Sequence, residues 1–494
     1  YLEGFADQIE AIILTHAHED HIGAIGCLWP KLRAPIYATP FTAYLVGEKL
    51  RERGLDREAP LHIMQLRESR TFGPFEVEMV TLTHSIPEPN GLAIRTPLGL
   101  ILHTGDWKID PDPIIGEDFD QAKIEELGRE GILAMVCDST NVFEEGEAGS
   151  EGMAREALKR AVAEQTGRVA ITSFASNVAR VQSACEAARA NDRSVCLVGR
   201  SMLRIVGAAQ SVGLLKGFEF IDPEDAADLP HQHVLYLCTG SQGEPNAALA
   251  RIARGDHPSV KLGEDDTVIF SSRVIPGNER AIGEIQNTLA ERNIKLVTAR
   301  QFDIHVSGHP CRDELRRMYM WAKPQIAVPV HGERRHIMEH ARFAKSLQVP
   351  YAITPDNGHV IRLAPGPVEL IDEVPVGRLH VDGQVLTSDK AGGMWERRKM
   401  AYNGHLTVSV VIAKGKIEDG PVVVARGFSE EDGRPADESM EPIDEAAESA
   451  LANIKRGDMG DDEKIEKALV KAVRRAAEVQ FGKRPLVDVT IHRV

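Results

Sequence analysis

Short apolar runs broken by turn residues open the chain. Residues 9–14 are apolar and β-branched and read as a buried strand. Residues 34–38, 76–82, 92–96, 99–103 and 133–137 read as further strands, several joined by turns bearing Gly or Pro. Strands dominate this region, with few helices between them. From about residue 152 the period changes. Helices are predicted over 155–165, 178–190, 201–211, 247–254 and 279–292, and they alternate with strands over 169–173, 195–198, 234–238, 267–271 and 295–298. Alternation of this length predicts a parallel sheet covered by helices, and so a separate α/β domain at roughly 151–310.

Helix, strand and helix follow at 315–322, 326–330 and 336–347. The stretch 372–390, rich in Gly, Val and Asp, reads as a linker, and with its flank to 398 it separates off a last small domain. That domain, 399–494, shows strands over 406–414 and 422–427, an acidic loop over 429–441, helices over 443–455 and 462–481, and a final strand over 486–492. The acidic run Glu430, Glu431 and Asp432 reads as a solvated loop. No internal repeat is visible.

The remaining bulk properties set limits on these elements. A chain of 494 residues has room for about three domains. With 43% hydrophobic and 27% charged residues it is an ordinary globular sequence, not a disordered chain or a disulfide scaffold. Its apolar runs fall far short of the ~20 residues that span a bilayer, so no membrane partner is expected. No basic segment followed by an apolar run opens the chain, so export is not expected either. The first residue is Tyr1 and the first strong motif follows almost at once, which reads as a fragment or processed product. The six cysteines form no C-x-x-C pair and read as reduced core residues of a reducing, cytoplasmic compartment. A net charge of −16 disfavours nucleic acid in bulk, although a local basic channel can sit on an acidic body.

The strongest chemical signal follows the first strand: His16, His18, Asp20 and His21 in the pattern H-x-H-x-D-H. Three imidazoles and an acid in six residues are costly to bury unless something binds them. Imidazole and carboxylate at a strand end suit zinc or a similar divalent ion. Alternation lets His16 and His18 point the same way, while Asp20 and His21 can face a second ion. Two ions need more ligands. His84 follows one strand, in VTLTHSIPE, and Asp106 follows another, in ILHTGDWK. A carboxylate between two cations can bridge them, and Asp106 is the candidate. His103 reads as structural or as support for a ligand.

This order of motifs resembles the metallo-β-lactamase superfamily. The resemblance implies an αβ/βα sandwich with metals at one edge, in which His16, His18 and His84 hold one zinc, Asp20 and His21 hold the other, and Asp106 bridges. Members of that superfamily act on many substrates, so this motif alone does not name one.

Later segments narrow the choice. VCDSTN places Asp138 at a strand end, DIHVSGHP carries His305 and His309, and IAVPVHGE ends in His331. With an α/β domain inserted between the first and the last two, the chain resembles the β-CASP nucleases. HAHEDHIGA, HSIPE, TGDWK, DSTN, TGSQGEP, VIPGNE, HVSGHP and PVHGE together resemble the ribonuclease J family over nearly the whole chain. The resemblance implies an α/β architecture with a metallo-β-lactamase domain in two parts (1–150 and 311–375), a β-CASP domain (151–310), a linker (376–398) and an α+β C-terminal domain (399–494).

It further implies that His331 completes the second metal's ligands and that Asp20 is catalytic as well as a ligand. His309 contacts the scissile phosphate and protonates the leaving oxygen, and Asp138 orients His309 and favours its charged form. Two cations (zinc, with Mn²⁺ or Mg²⁺ as alternatives) can make a hydroxide nucleophilic and stabilise attacking and leaving oxygens alike. Ser307, Gly308 and His309 offer N–H groups and a hydroxyl without bulk to a phosphate, although Ser307 could instead cap the helix that follows. Arg273 reads equally as a phosphate contact or as an ion pair between domains. Between His309 and Lys345 eight bases stand against four acids, which fits a basic RNA path.

The implied activity is a metal-dependent ribonuclease on single-stranded RNA. It would act as a 5′→3′ exonuclease on 5′-monophosphate ends and as an endonuclease, with functions in mRNA decay and rRNA processing. A homodimer or homotetramer through the C-terminal domain, and RNA-decay partners, are implied as well. A β-CASP DNA-processing nuclease and a catalytically silent RNA-binding or assembly subunit are the alternatives. One departure stands out. Only 15 residues precede His16, and none of Glu3, Asp7 and Glu10 has the strand-end setting of the family's first acidic motif. The family's N-terminal strands are therefore expected to be missing, and activity to suffer.

Overall fold

The computed structural model describes residues 1–388, 392–429 and 440–494. It divides into two units, Tyr1–Pro375 and Val376–Val494.

The larger unit is built on three sheets. A seven-stranded sheet runs, edge to edge, through Tyr351–Ala352, Ile326–Val330, Ile132–Asp138, Gly99–His103, Asn90–Thr96, Phe75–Thr81 and Ser69–Phe72. Its first four strands are parallel and the rest alternate. A three-stranded parallel sheet of Ile12–Ile13, Ile36–Ala38 and Leu61–Ile63 faces it across a small core of Met64, Phe72, Val77, Met79 and Leu92, joined by Ile13 and Tyr37. Helices cover the outer faces. Gln121–Glu130, Arg312–Ala322 and Arg334–Ser346 pack on the large sheet through Leu127, Leu315, Met318 and Phe343, and Ile25–Leu32 with Pro40–Glu52 cover the small one. The result is a helix–sheet–sheet–helix sandwich.

The helices Ile25–Leu32, Pro40–Glu52 and Gln121–Glu130 correct the expectation that strands dominate the first region. Prolines masked two of them. Pro40 opens its helix at the first turn, where a missing N–H costs nothing, and Phe41, Leu45, Val46 and Leu50 then fall on one buried face. The 9–14 strand is also shorter than expected, at Ile12–Ile13.

The third sheet is five-stranded and wholly parallel, in the order Ser194–Val198, Val234–Cys238, Val169–Thr172, Thr267–Phe270, Lys295–Val297. It is the strand–helix alternation read from the sequence. The chain enters this inserted lobe near Glu151 and leaves it near Ile304. Buried Arg180 ties both crossings. Its guanidinium lies 2.9 Å from Glu151 Oε2 and donates to the Ile304 carbonyl at 2.7 Å and to Ser271 Oγ at 2.6 Å. Buried Lys108 continues the network, 2.7 Å from Asp110 Oδ2, and Asp110 accepts from the Glu151 N–H at 2.9 Å. Charges this deeply buried persist because each is paired and hydrogen-bonded.

In the smaller unit, His405–Ala413 is the central strand, antiparallel to Lys416–Arg426 and parallel to Leu486–Arg493. Leu406, Val408, Val410 and Ile412 alternate onto one face and are buried against Ile443, Leu451, Ile465, Leu469 and Val473 of Glu441–Ala452 and Asp462–Phe481. Part of the expected linker is structured. Leu379–Asp382 and Val385–Ser388 form a hairpin about Gly383 and Gln384, and helix Gly393–Asn403 follows. The positive φ of Gly383 (63°) is what such a two-residue turn requires. Residues 389–391 of the linker and 430–439 of the acidic loop, with Glu430, Glu431 and Asp432, lie outside the described residues.

Candidate metal centre

Four strands of the large sheet point the same way and deliver side chains to one edge. His84 follows Phe75–Thr81, Asp106 follows Gly99–His103, Asp138 ends Ile132–Asp138, and His331 follows Ile326–Val330. The small sheet brings His16 and His18 to the same place, and the single turn Glu19–Ile22, with His18 at its N-cap, adds Asp20 and His21. Val330 pairs in register with Asp138, so His331 lands beside that carboxylate across the whole insertion. His331 adopts φ of 58°, a left-handed backbone costing roughly 1–3 kcal/mol for a non-glycine residue.

Their donor atoms form three overlapping groups, each within 4.8 Å: His16, His18, His84 and Asp106; Asp20, His21, Asp106 and His331; and Asp106, Asp138, His309 and His331. Asp106 is common to all. Its Oδ2 lies 3.7 Å from His16 Nε2, 3.9 Å from His84 Nε2, 3.3 Å from His21 Nε2 and 3.5 Å from His331 Nε2. Asp20 Oδ2 lies 3.5 Å from His21 and 3.2 Å from His331.

Surrounding contacts aim the rings. His84 Nδ1 lies 2.5 Å from the Gly308 carbonyl, which fixes its hydrogen there and turns Nε2 inward. Thr15 Oγ1 does the same for His16 at 3.1 Å, and Thr140 Oγ1 for His331 at 2.9 Å. Partners of this kind orient ligand imidazoles.

The donor set fits divalent cations. His16 Nε2 and His21 Nε2 are buried without a hydrogen-bond partner, which is rare and costly in a protein interior. Burial holds His16 and His84 well below the ordinary histidine range and His18 at about 4, so all three are neutral and offer lone pairs. The second group behaves oppositely. Burial opposes charge on His21 and His331, yet for His21 Asp106 and Asp20, and for His331 Asp138 and Asp20, outweigh it, raising them to about 9 and about 11. The His21 imidazole beside it and the hydrogen bond to His331 hold the Asp20 carboxyl far below its usual range. Carboxylates so placed favour positive charge, which bound divalent cations would supply in place of the imidazole protons.

Asp138 is fully buried, and its Oδ2 lies 2.7 Å from His309 Nδ1. Burial opposes charge on His309, but the Asp138 carboxylate prevails and raises it above the ordinary range. Ser307 is not a helix cap; Cys311 holds that place on Arg312–Ala322. Ser307 Oγ accepts from Asn141 Nδ2 at 2.8 Å and from the His309 N–H at 3.2 Å. Arg273 lies 3.0 Å from Glu144 Oε1 and 3.3 Å from Asn141 Oδ1, joining the inserted lobe to the loop after Asp138. His305 is half-buried and pushed down to about 3 by desolvation and by Arg180, and takes no place among the donor groups. His103 Nδ1 accepts from the Gly105 N–H at 3.0 Å, a structural contact.

Thr140 and Asn141 escaped the sequence reading. Both lie in DSTN, where only the acid drew attention. The basic stretch 309–345 is also less available than its charges imply. Arg312 pairs with Glu145 and Glu339, Arg317 with Glu147, Arg316 with Asp313, and Arg335 with Glu333.

Known proteins share this organisation. Residues 3–125 match the family model for a beta-lactamase superfamily domain and 166–289 that for the ribonuclease J beta-CASP domain. Residues 296–350 match a Zn-dependent metallo-hydrolase RNA specificity domain, and 393–494 the ribonuclease J C-terminal domain. Ribonuclease J of Sinorhizobium meliloti is 45% identical over 98% of this chain and 86% of its own length. The chain belongs to the ribonuclease J family. Ribonuclease J of Mycolicibacterium smegmatis is 36% identical over 99% of this chain and 88% of its own, and that of Corynebacterium glutamicum 36% over 99% and 68%. The sandwich is thus a metallo-β-lactamase domain, the five-stranded lobe its β-CASP insertion, and the small unit the family's C-terminal domain.

Proposed function

We infer that this chain is a metal-dependent ribonuclease of single-stranded RNA, acting 5′→3′ from 5′-monophosphate ends and also internally. The observation that carries this reading is Asp106, one buried carboxylate common to all three donor groups, with the Asp138–His309 pair beside it. We assign His16, His18 and His84 to one ion, Asp20, His21 and His331 to a second, and Asp106 to both, with zinc the ion proposed and Mn²⁺ or Mg²⁺ the alternatives. Bound divalent ions supply Lewis acidity and water acidified toward neutrality.

The chain's own groups do the rest. Asp138 holds a proton at His309 Nδ1 and keeps the ring charged, so its Nε2 can donate to the departing 3′ oxygen. Ser307 Oγ already accepts two hydrogen bonds, so its own hydrogen is left for an anion. Gly308 keeps that approach unobstructed. Arg273, engaged with Glu144, would have to share its guanidinium with a phosphate.

No helix among the described residues is long and apolar enough to cross a membrane. We place the enzyme in the cytoplasm, in RNA decay and rRNA processing, where RNA-decay partners would meet it. We further propose pairing of copies through the C-terminal unit. Its inner sheet face is used up on its own helices, but exposed Ile417, Val422 and Val424 on the edge strand support a contact.

The test uses 3′-labelled RNA with a 5′-monophosphate or 5′-triphosphate, added Zn²⁺ or Mn²⁺, and His309→Ala as control. Stepwise shortening that prefers the monophosphate and vanishes in the variant supports the reading. Equal internal cutting of both RNAs would sink the 5′-end preference, and preferential cutting of DNA would favour a DNA-processing nuclease.

A further inference from the structure

We propose that the C-terminal unit carries its own binding groove for single-stranded RNA, on one face of the helix Asp462–Phe481. This rests on the ribonuclease reading and extends it to a surface that holds none of the catalytic groups.

The groove is about 950 Å³ and is lined by six cations, Lys399, Lys467, Lys471, Arg474, Arg475 and Arg484, against two acids, Glu466 and Glu478. In a chain of net charge −16 this is a local inversion of sign. Pairing within the unit removes only part of it. Arg484 is held by Glu478 at 2.7 Å and Lys467 by Glu463 at 2.5 Å. Lys399, Lys471, Arg474 and Arg475 form no ion pair among the described residues. The contrast with 309–345, where nearby acids answer most of the arginines, is direct.

Spacing suits a strand of phosphates. Residues 467, 471 and 475 stand one above another at four-residue intervals, about 6 Å apart along the helix. Helix Gly393–Asn403 supplies Lys399, and spacings of four and three put Trp395 and Tyr402 on the same face. Both aromatics are open to solvent, at 47% and 80% exposure, and Lys399 Nζ lies 4.6 Å from the Trp395 ring centre. Cations that follow a backbone beside aromatic faces that stack bases are what single-stranded nucleic acid needs. A protein partner fits less well, since its interface wants an apolar centre and, among the described residues lining this groove, Val470 alone is apolar.

The test measures binding by the full-length protein, with chelator present to halt cleavage, of a labelled single-stranded RNA of about 30 nucleotides across a salt series. Lys471→Glu with Arg475→Glu should weaken binding at least tenfold and lower the slope of log affinity against log salt by about 1.4, ~0.7 for each phosphate no longer neutralised. Tyr402→Ala should weaken binding about fivefold or more while leaving that slope in place. A charge-matched control away from the helix face, Lys416→Glu with Lys455→Glu, should bind as the unaltered protein does. Unchanged affinity and slope in the groove variants would overturn the proposal while the ribonuclease reading stands on its cleavage assay. A change in sedimentation without a change in RNA affinity would overturn it too, and assign the groove to a protein partner. An unaltered protein that neither cuts nor binds RNA would remove both readings.

Discussion

Asp138 Oδ2 stands 2.7 Å from His309 Nδ1, while Asp138 Oδ1 accepts from the Thr140 hydroxyl and lies 3.5 Å from His331 Nδ1. One buried carboxylate therefore orients the proposed acid and a proposed metal ligand together. Asp138→Asn keeps the shape and removes the charge. Turnover of 5′-monophosphate RNA should fall roughly 100- to 10,000-fold, the range of general acid–base catalysis. Affinity for the RNA should change far less. Steady-state kinetics separate the two effects.

The two donor groups should be separable by metal content. His84→Ala should reduce binding by the His16, His18 and His84 group, and His331→Ala by the Asp20, His21 and His331 group. Elemental analysis after dialysis should show roughly one ion fewer in each case, against two in the unaltered protein. Asp106→Ala, which touches both groups, should lose both.

Gly308 admits no side chain. A Cβ there would sit 2.5 Å from Ser85 Oγ and 2.9 Å from His84 Cε1. Gly308→Ala should push His84 off its carbonyl partner, lower metal occupancy and reduce cleavage, with little change in melting temperature. Calorimetry and metal analysis on one preparation would show it.

Arg180 holds both crossings into the insertion, so its removal should be felt globally. Arg180→Met strands the buried Glu151 carboxylate and should cost about 3–5 kcal/mol of stability. Adding Glu151→Leu should return part of that, because the unpaired charge goes while the hydrogen bonds to Ile304 and Ser271 are not restored. A double-mutant cycle from urea titrations measures the coupling.

Acid should loosen the same network. Burial alone would raise the Asp110 pKa, but Lys108 and hydrogen bonds from Glu151 and Ser150 depress it. A carboxyl depressed in the folded state contributes stability that is complete above its unfolded value, ~3.9, and is lost as pH falls through the folded value. The urea midpoint should thus fall as pH drops below about 4, and more gently in Asp110→Asn.

The metal motif was legible because its residues are neighbours in sequence and the strand before them fixes their direction. His309, Asp138 and His331 were legible only through resemblance, since no local pattern states that Val330 pairs with Asp138. Thr140 and Asn141 were hidden because small polar residues after a strand usually serve turns. Pro30 and Pro40 lie in helices, although proline more often marks a break, and the helices around them went unread. The basic stretch misled because sequence counts charges without their partners, and Glu145 and Glu147 arrive from another segment. The linker's hairpin was in view, with strands flanking Gly383, but its composition spoke louder than its alternation.

Placing Ile326–Val330 beside Ile132–Asp138 also sets a timetable. A growing chain makes the first donor group early, then must complete the inserted β-CASP lobe before His309 and His331 exist. Such a pairing, distant along the chain, closes late, and domains finish as units during synthesis. A chain emerging from the ribosome therefore carries an incomplete cutting edge until the strand Ile326–Val330 has been made and paired.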